Sequence, residues 1–132
     1  MVGQKVVLDT DIIIDHLRQE KGGNSSSRLE TVVAEKNIIP LISTVTVQEL
    51  FAGQSSRKIK EEQKIRMVLN LFGILPLSMS IAETAGKIIR DAETVVQLAD
   101  SSIAATAISE NALLLTKNKK DFQKIKGLRL YD

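Results

Sequence analysis

The chain is 132 residues long, 43% hydrophobic and 26% charged, which suits one compact domain, 1–132, and excludes both a disordered chain and a membrane-spanning one. Eighteen basic against sixteen acidic residues leave a net charge of +2, so a nucleic-acid partner has to be sought in the distribution of charge rather than its total. Cysteine is absent and His16 is the single histidine, which excludes disulfides, thiolate nucleophiles, thiolate zinc sites and imidazole cages; a metal bound here is held by oxygen.

The opening MVGQKVVLDTD lacks the long apolar core of a signal peptide, and the expectation is a cytoplasmic protein with no membrane partner. Residues 5–8, KVVL, read as a short buried strand that Asp9, Thr10 and Asp11 terminate, before an apolar run at 12–14 continues to Leu17 at helical spacing. A Gly/Asn/Ser stretch at 22–27 reads as a turn or flexible loop, and Ser27 with Glu30 makes a capping box for a helix carrying Leu29, Val32 and Val33. Residues 40–43 predict a second strand and 45–52 a short helix ended by Gly53, while Ile65, Val68, Leu69 and Phe72 mark a further amphipathic helix. A third strand is expected at 74–77, then a helix capped by Ser80 with Ile81, Ala85, Ile88, Ile89 and Ala92 along one face. An alanine- and isoleucine-rich helix over 100–110 and strands at 113–116 and 128–130 complete the series. Strands alternating with helices predict βαβ units, and so an α/β fold with a central parallel sheet covered by helices on both faces.

In an open parallel sheet ligands gather beyond the carboxyl ends of the strands. Asp9 and Asp11 directly follow the first strand, and Asn118 and Asp121 follow the strand at 113–116 in the same sense. Asp100 at the start of its helix and Glu49 inside a short one are both able to project into that crevice. Taken singly these acids are ordinary: Asp9 and Asp100 as helix caps, Glu49 as a solvated helix residue, Asp121 as a turn residue. Converged, four carboxylates repel one another and imply a bound cation, and a donor set of hard oxygens points to Mg²⁺ or Mn²⁺. Such an ion activates water and neutralises charge developing on a phosphoryl group, which is phosphodiester hydrolysis without histidine. Metal-independent cleavage through a cyclic phosphate needs two acid–base groups, and the single His16, read as structural, does not supply them.

Two basic stretches are placed to guide a nucleic-acid backbone. One is Arg57, Lys58, Lys60, Lys64 and Arg66; the other is Lys117, Lys119, Lys120, Lys124 and Lys126 around Asp121, of which Lys117, Lys119 and Lys120 are the candidate RNA-binding residues.

Taken in order, VVLDTDIIIDHL, ISTVTVQELFAG, LADSSIAATA and LLTKNKKDF resemble the four signature segments of PIN domains, and within them the VapC-type toxins of toxin–antitoxin pairs. The resemblance spans residues 5–130. It implies a three-layer α/β/α sandwich, a metal-dependent endoribonuclease acting on structured RNA such as transfer or ribosomal RNA, a homodimer, and a small VapB-type antitoxin as partner. By it Asp9, Glu49 and Asp100 are the first three acids of the site, with Thr10 and Thr116 as polar neighbours. The fourth acid in the family falls either directly after the Thr-basic pair or three residues later; Asn118 takes the earlier place and Asp121 the later, so Asp121 is expected as the ligand with Asn118 in support. Asp11 stands where the family often has asparagine.

Three other readings fit parts of the pattern. A receiver-type signalling domain needs a phosphoacceptor aspartate after its third strand, and no aspartate occurs between Asp15 and Asp91. A dehalogenase-like phosphatase wants Thr or Val where this chain has Ile13. A catalytically silent PIN-like module that binds RNA or protein would keep the fold without needing the acids.

Overall fold

The computed structural model describes residues 3–19 and 26–132; most of the loop expected at 22–27 lies outside them. Val6, Val7 and Leu8 end strand β1 (Gln4–Leu8), and none of the three is exposed, because both faces of the sheet are covered. β1 is flanked by β2 (Ile38–Ser43), with Gln4 opposite Ile38 and Val7 opposite Leu41, and by β4 (Leu113–Leu115), with Val6 opposite Leu113 and Leu8 opposite Leu115. β3 (Gly73–Leu75) pairs beyond β2, so the described residues form a wholly parallel sheet in the order β3-β2-β1-β4.

The chain steps outward from β1 through β2 to β3, then returns to place β4 on the other side of β1. That reversal opens a crevice beyond the carboxyl ends of β1 and β4, the position at which doubly wound sheets bind ligands.

Alternation along the strands sends Val6, Leu8, Ile42 and Leu115 to one face. There they meet α1 (Thr10–Gln19), α2 (Arg28–Ala34), α3 (Thr44–Ala52) and α4 (Ile59–Leu69) through Ile12, Ile13, Leu29, Val32, Leu50 and Ile65. The opposite face, Val7, Leu41 and Leu114, packs on α6 (Leu98–Ser109), with Phe122 and Ile125 from α7 (Lys119–Phe122) and the turn after it. An outer helix, α5 (Met79–Asp91), lies on α6 through Ile81 and Ala85 against Ala105. Seven successive α6 residues, Ser101 to Ala107, are buried, which small side chains make possible by letting α6 be sandwiched between sheet and α5. The fold is a three-layer α/β/α sandwich, and among the described residues no helix is long and apolar enough to cross a membrane.

Several expected boundaries move. β2 begins two residues before the expected 40–43, α6 two residues before Asp100, and β3 stops at Leu75 where Pro76 ends it. Helix α5 is capped by Ser78, whose side chain accepts the Ile81 N–H at 3.2 Å, and not by Ser80, which lies inside the first turn. Residues 128–130 form a single bridge, Leu114 to Leu130, instead of a strand. Gly53 ends α3 as expected but in extended conformation, leading into a short 3-10 helix, Gln54–Arg57, that periodicity did not reveal.

Candidate active site

Asp9 leaves the sheet while still laddered to β4, its N–H donating to Leu115 O at 2.9 Å. Its carboxylate, 6% exposed, accepts the Thr10 N–H at 2.8 Å and the Thr116 hydroxyl at 2.7 Å. A capping side chain would take the N–H two or three residues on, so the geometry is not that of a helix cap. Burial pushes the Asp9 carboxyl up to about 7, Asp11 and Asp100 push the same way, and the hydrogen bonds from Thr116 and Thr10 oppose them.

Asp11, in the first turn of α1, reaches across to the segment after β4, where its Oδ2 accepts the Lys117 N–H at 3.2 Å. Burial raises its pKa, and the Lys117 N–H is the largest effect opposing it. The Lys117 ammonium turns away to Asp15, 2.9 Å from Oδ2. Asn118 then donates its N–H to Thr116 Oγ1 at 3.0 Å and its side-chain amide to Asp121 Oδ2 at 3.0 Å. One chain of hydrogen bonds therefore runs from Asp9 through Thr116 and Asn118 to Asp121.

Ser43 caps α3 by accepting the Val45 N–H, and that helix carries Glu49, exposed, to the same crevice. Thr10 donates to Glu49 Oε1 at 2.6 Å and lies 3.0 Å from the buried Thr46 hydroxyl, so a β1–α1 residue fixes the orientation of an α3 carboxylate. Asp100 is half-buried in the first turn of α6. Its pKa is raised by burial first, then by Glu49, Asp11 and Asp121. A carboxylate near a helix N-terminus is ordinarily favoured as an anion, so its neighbours and its burial outweigh the dipole.

The fold thus brings Asp9, Glu49, Asp100 and Asp121, with Asp11, into mutual electrostatic reach around Asp100. Among the described residues no three of these acids are placed closely enough to hold a metal ion as they stand. The residues nevertheless fit a hard divalent cation, because the donors are all oxygen and the buried Asp9 and half-buried Asp100 carry raised pKa values that a positive charge between them would reverse. Of the lysines expected near RNA, Lys117 is occupied by Asp15, while Lys119 and Lys120 are exposed on α7. In the other basic stretch, Arg66 pairs with Glu62 at 3.2 Å and stacks over Phe51, and Lys64 lies 3.7 Å from Glu61. His16 is buried between α1 and α2, 2.8 Å from Ser27 Oγ, a structural position.

Three features escaped sequence reasoning. Thr46 lies three residues before Glu49 on the same helix, a spacing that would have revealed it. The Asp11–Lys117 contact joins residues 106 apart. A cleft of about 880 Å³ opens from Asp100 and Asp121, walled by the end of α5, the 92–97 connection and residues 121–126. Lys87 faces it, and nothing in the sequence ties Lys87 to the acids.

A sequence profile described as PIN domain matches residues 6–128. A protein named Ribonuclease VapC1 from Methanocaldococcus jannaschii is 34% identical, the similarity covering 97% of this chain and 88% of that protein. Among solved structures, VapBC2 from Rickettsia felis bound to a DNA fragment from their promoter is similar with a TM-score of 0.80 and 26% identity, covering 97% of this chain and 98% of that one. A toxin–antitoxin complex from Klebsiella pneumoniae is similar with a TM-score of 0.70 and 30% identity over 93% and 94% of the two chains.

Proposed function

This chain belongs to the PIN domain family, and from that premise we propose that it is a metal-dependent endoribonuclease, the toxin of a VapBC-type pair, acting as one domain over 1–132. The observation that carries the reading is the placement of Asp9, Glu49, Asp100 and Asp121 around one crevice at the switch point of the sheet, with Asp9 and Asp100 both raised in pKa. These four carboxylates hold Mg²⁺ or Mn²⁺, and the Asn118 amide positions Asp121 in support. When bound, the ion supplies charge neutralisation at the phosphoryl group and acidifies water.

The protein's own groups set the geometry. Thr116 and the Thr10 N–H orient the two Asp9 oxygens, one bond to each. Thr10 holds Glu49, and Asn118 holds Asp121. Bonds of this kind keep ligand oxygens oriented and typically govern metal affinity about 10–100-fold. Hydrolysis adds water across the P–O3′ bond, leaving a 5′-phosphate and a free 3′-hydroxyl.

The partner is a VapB-type antitoxin, a reading supported by the similarity to toxin–antitoxin complexes. The substrate is a cytoplasmic RNA, transfer or ribosomal. A homodimer is supported by Ile74 in the edge strand β3 and Leu77 just after it, both 43% exposed, where a strand paired on one side only and apolar side chains suit a second copy. The silent-module reading gains nothing from the structure, because a binding module has no use for a buried acid raised in pKa beside three others.

Incubating the protein with cellular RNA and Mg²⁺ or Mn²⁺ tests the proposal. Cleavage that leaves 5′-phosphates and stops in EDTA is expected. Cleavage that persists in EDTA, or fragments ending in a cyclic phosphate, would refute it.

A further inference from the structure

A buried hydroxyl on a helix ordinarily gives its proton to a carbonyl of the preceding turn. On α6 this is how Ser101, Ser102 and Thr106 are satisfied, the first two donating to Leu98 O at 2.7 and 3.1 Å and the third to Ser102 O at 2.8 Å. Thr46 is as deeply buried, 0% exposed, and does otherwise. It stands three residues after the Ser43 cap of α3, where no preceding turn of helix offers a carbonyl, and among the described residues its hydroxyl meets one partner, Thr10 Oγ1 at 3.0 Å. The two hydroxyls before it serve the backbone: Ser43 accepts the Val45 N–H at 3.0 Å and Thr44 accepts the Leu77 N–H at 3.1 Å.

A hydroxyl has one proton to give. Thr10 Oγ1 lies 2.6 Å from Glu49 Oε1 and 3.0 Å from Thr46 Oγ1, and the shorter bond, to a carboxylate, takes that proton. Thr46 must then donate to Thr10, because the reverse direction would leave its own hydrogen without an acceptor in a site closed to water, a cost that folded cores avoid. The direction is set from the core outward, Thr46 to Thr10 and Thr10 to Glu49. The Thr10 N–H meanwhile donates to Asp9 at 2.8 Å, so the residue that Thr46 fixes touches two acids of the site.

We propose that Thr46 is a positioning residue for the metal site: by filling the acceptor side of Thr10 it points the Thr10 proton at Glu49 and holds that exposed carboxylate in the orientation that receives the ion. The inference rests on the divalent-metal reading of the acids and adds to it a residue that touches none of them. Chained hydrogen bonds strengthen one another in a dry interior, by about 10–30% per bond, so the effect reaches Glu49 without contact.

Calorimetric titration with Mn²⁺ and thermal melting in EDTA, both on the full chain, test this. Thr46→Val keeps the branched shape and removes the donor, whereas Thr46→Ser keeps the donor and loses a methyl. Thr46→Val is expected to weaken Mn²⁺ binding about 3–10-fold, less than the 10–100-fold typical of a group bonded directly to a metal ligand. Thr46→Ser is expected to bind within about twofold of the wild type although its cavity lowers the melting temperature, so that affinity follows the hydroxyl and not the packing. In a Thr10→Val background, Thr46→Val should change the affinity by less than about twofold, because the intermediary is gone. Melting in EDTA reads the relay without metal: Thr10→Val leaves the Thr46 hydrogen unpaired, so adding Thr46→Val is expected to raise the melting temperature by about 3–6 °C. Wild-type affinity in Thr46→Val, an equal loss in Thr46→Ser, or a further loss on top of Thr10→Val would overturn the positioning role. A double variant that melts at or below Thr10→Val would overturn the direction of the relay. If Thr10→Val does not fold, Thr46→Val against Thr46→Ser decides alone. A wild type that binds no Mn²⁺ refutes the metal reading and with it the use assigned to the relay, while the EDTA melts still decide the relay itself.

Discussion

The acidic site has two unlike halves. On the strand side, Asp9 is buried, bonded through both oxygens, and locked by Thr116, which Asn118 fixes in turn. On the helix side, Glu49 and Asp121 are exposed, each held by one side-chain hydrogen bond, and Asp100 is half-buried in a first helical turn. The strand half is a preset cradle whose rigidity comes from the sheet; the helix half is adjustable, carried by three separate helices. Under the proposed function, a site built this way would fix one ligand by the core and leave the others free to adjust around a bound ion.

If that division is right, the two halves respond differently to substitution. The largest effect is expected from Asp9→Asn and Asp100→Asn, each lowering kcat/KM for RNA by at least about 10²–10³-fold, the scale of losing a group that stabilises transition-state charge. Their stabilities should part company. Asp9 has a folded pKa of about 7 against an ordinary 3.8, so the stability linked to it is fully present below about pH 4 and is lost as pH rises through 7. In EDTA the wild type is therefore expected to lose on the order of 2–4 kcal/mol between those limits, while Asp9→Asn loses little and melts higher at pH 8. Urea unfolding at the two pH values measures this; parallel profiles for wild type and Asp9→Asn would contradict the buried cradle.

Next in size is Thr116→Val. It removes a hydrogen bond that lowers the Asp9 pKa and anchors the Asn118 N–H, so Mn²⁺ affinity at pH 7 should fall about 10–100-fold and recover partly toward pH 8.5. Calorimetric titration at both pH values would show it, and a loss independent of pH would place the effect elsewhere. Thr10→Val sharpens the comparison by loosening Glu49 from the strand half: a loss of metal affinity nearer about tenfold is expected, without the pH-dependent recovery. Asn118→Ala, acting on the exposed Asp121 through one bond, should cost less than about tenfold in kcat, and Asn118→Asp should not exceed it. A larger loss from Asn118→Ala than from Thr116→Val would reverse the ranking of the halves.

Much of this architecture was legible in the sequence because it is local. A continuous apolar run ending in Asp-Thr-Asp identifies both a buried strand and the acids at its tip, and Ser27 with Glu30 identifies a helix start that the Glu30 N–H to Ser27 bond bears out. What stayed hidden depends on partners distant in the chain. Ser78 and Ser80 are both able to cap, and packing of Ile81 and Ala85 on α6 decides the helix start. Residues 128–130 are apolar enough for a strand, yet the ladder reduces to one bridge at Leu114. Asn118 and Asp121 read as rivals for one place, whereas the structure makes them donor and acceptor of a single bond. Lys117 reads as a candidate RNA contact, and its ion pair with Asp15, 102 residues away in the chain, is not visible in the sequence. The cleft needs three segments, and Lys87 among them carries no local signal.

The most direct test of the central claim measures metal binding and RNA cleavage in the same samples. Wild type and Asp100→Asn are titrated with Mn²⁺ by calorimetry and then given RNA. The wild type is expected to bind Mn²⁺ and to cleave only once it is bound, and Asp100→Asn to lose both together. An Asp100→Asn protein that cleaves like the wild type, or a wild type that cleaves before any Mn²⁺ is bound, would contradict it.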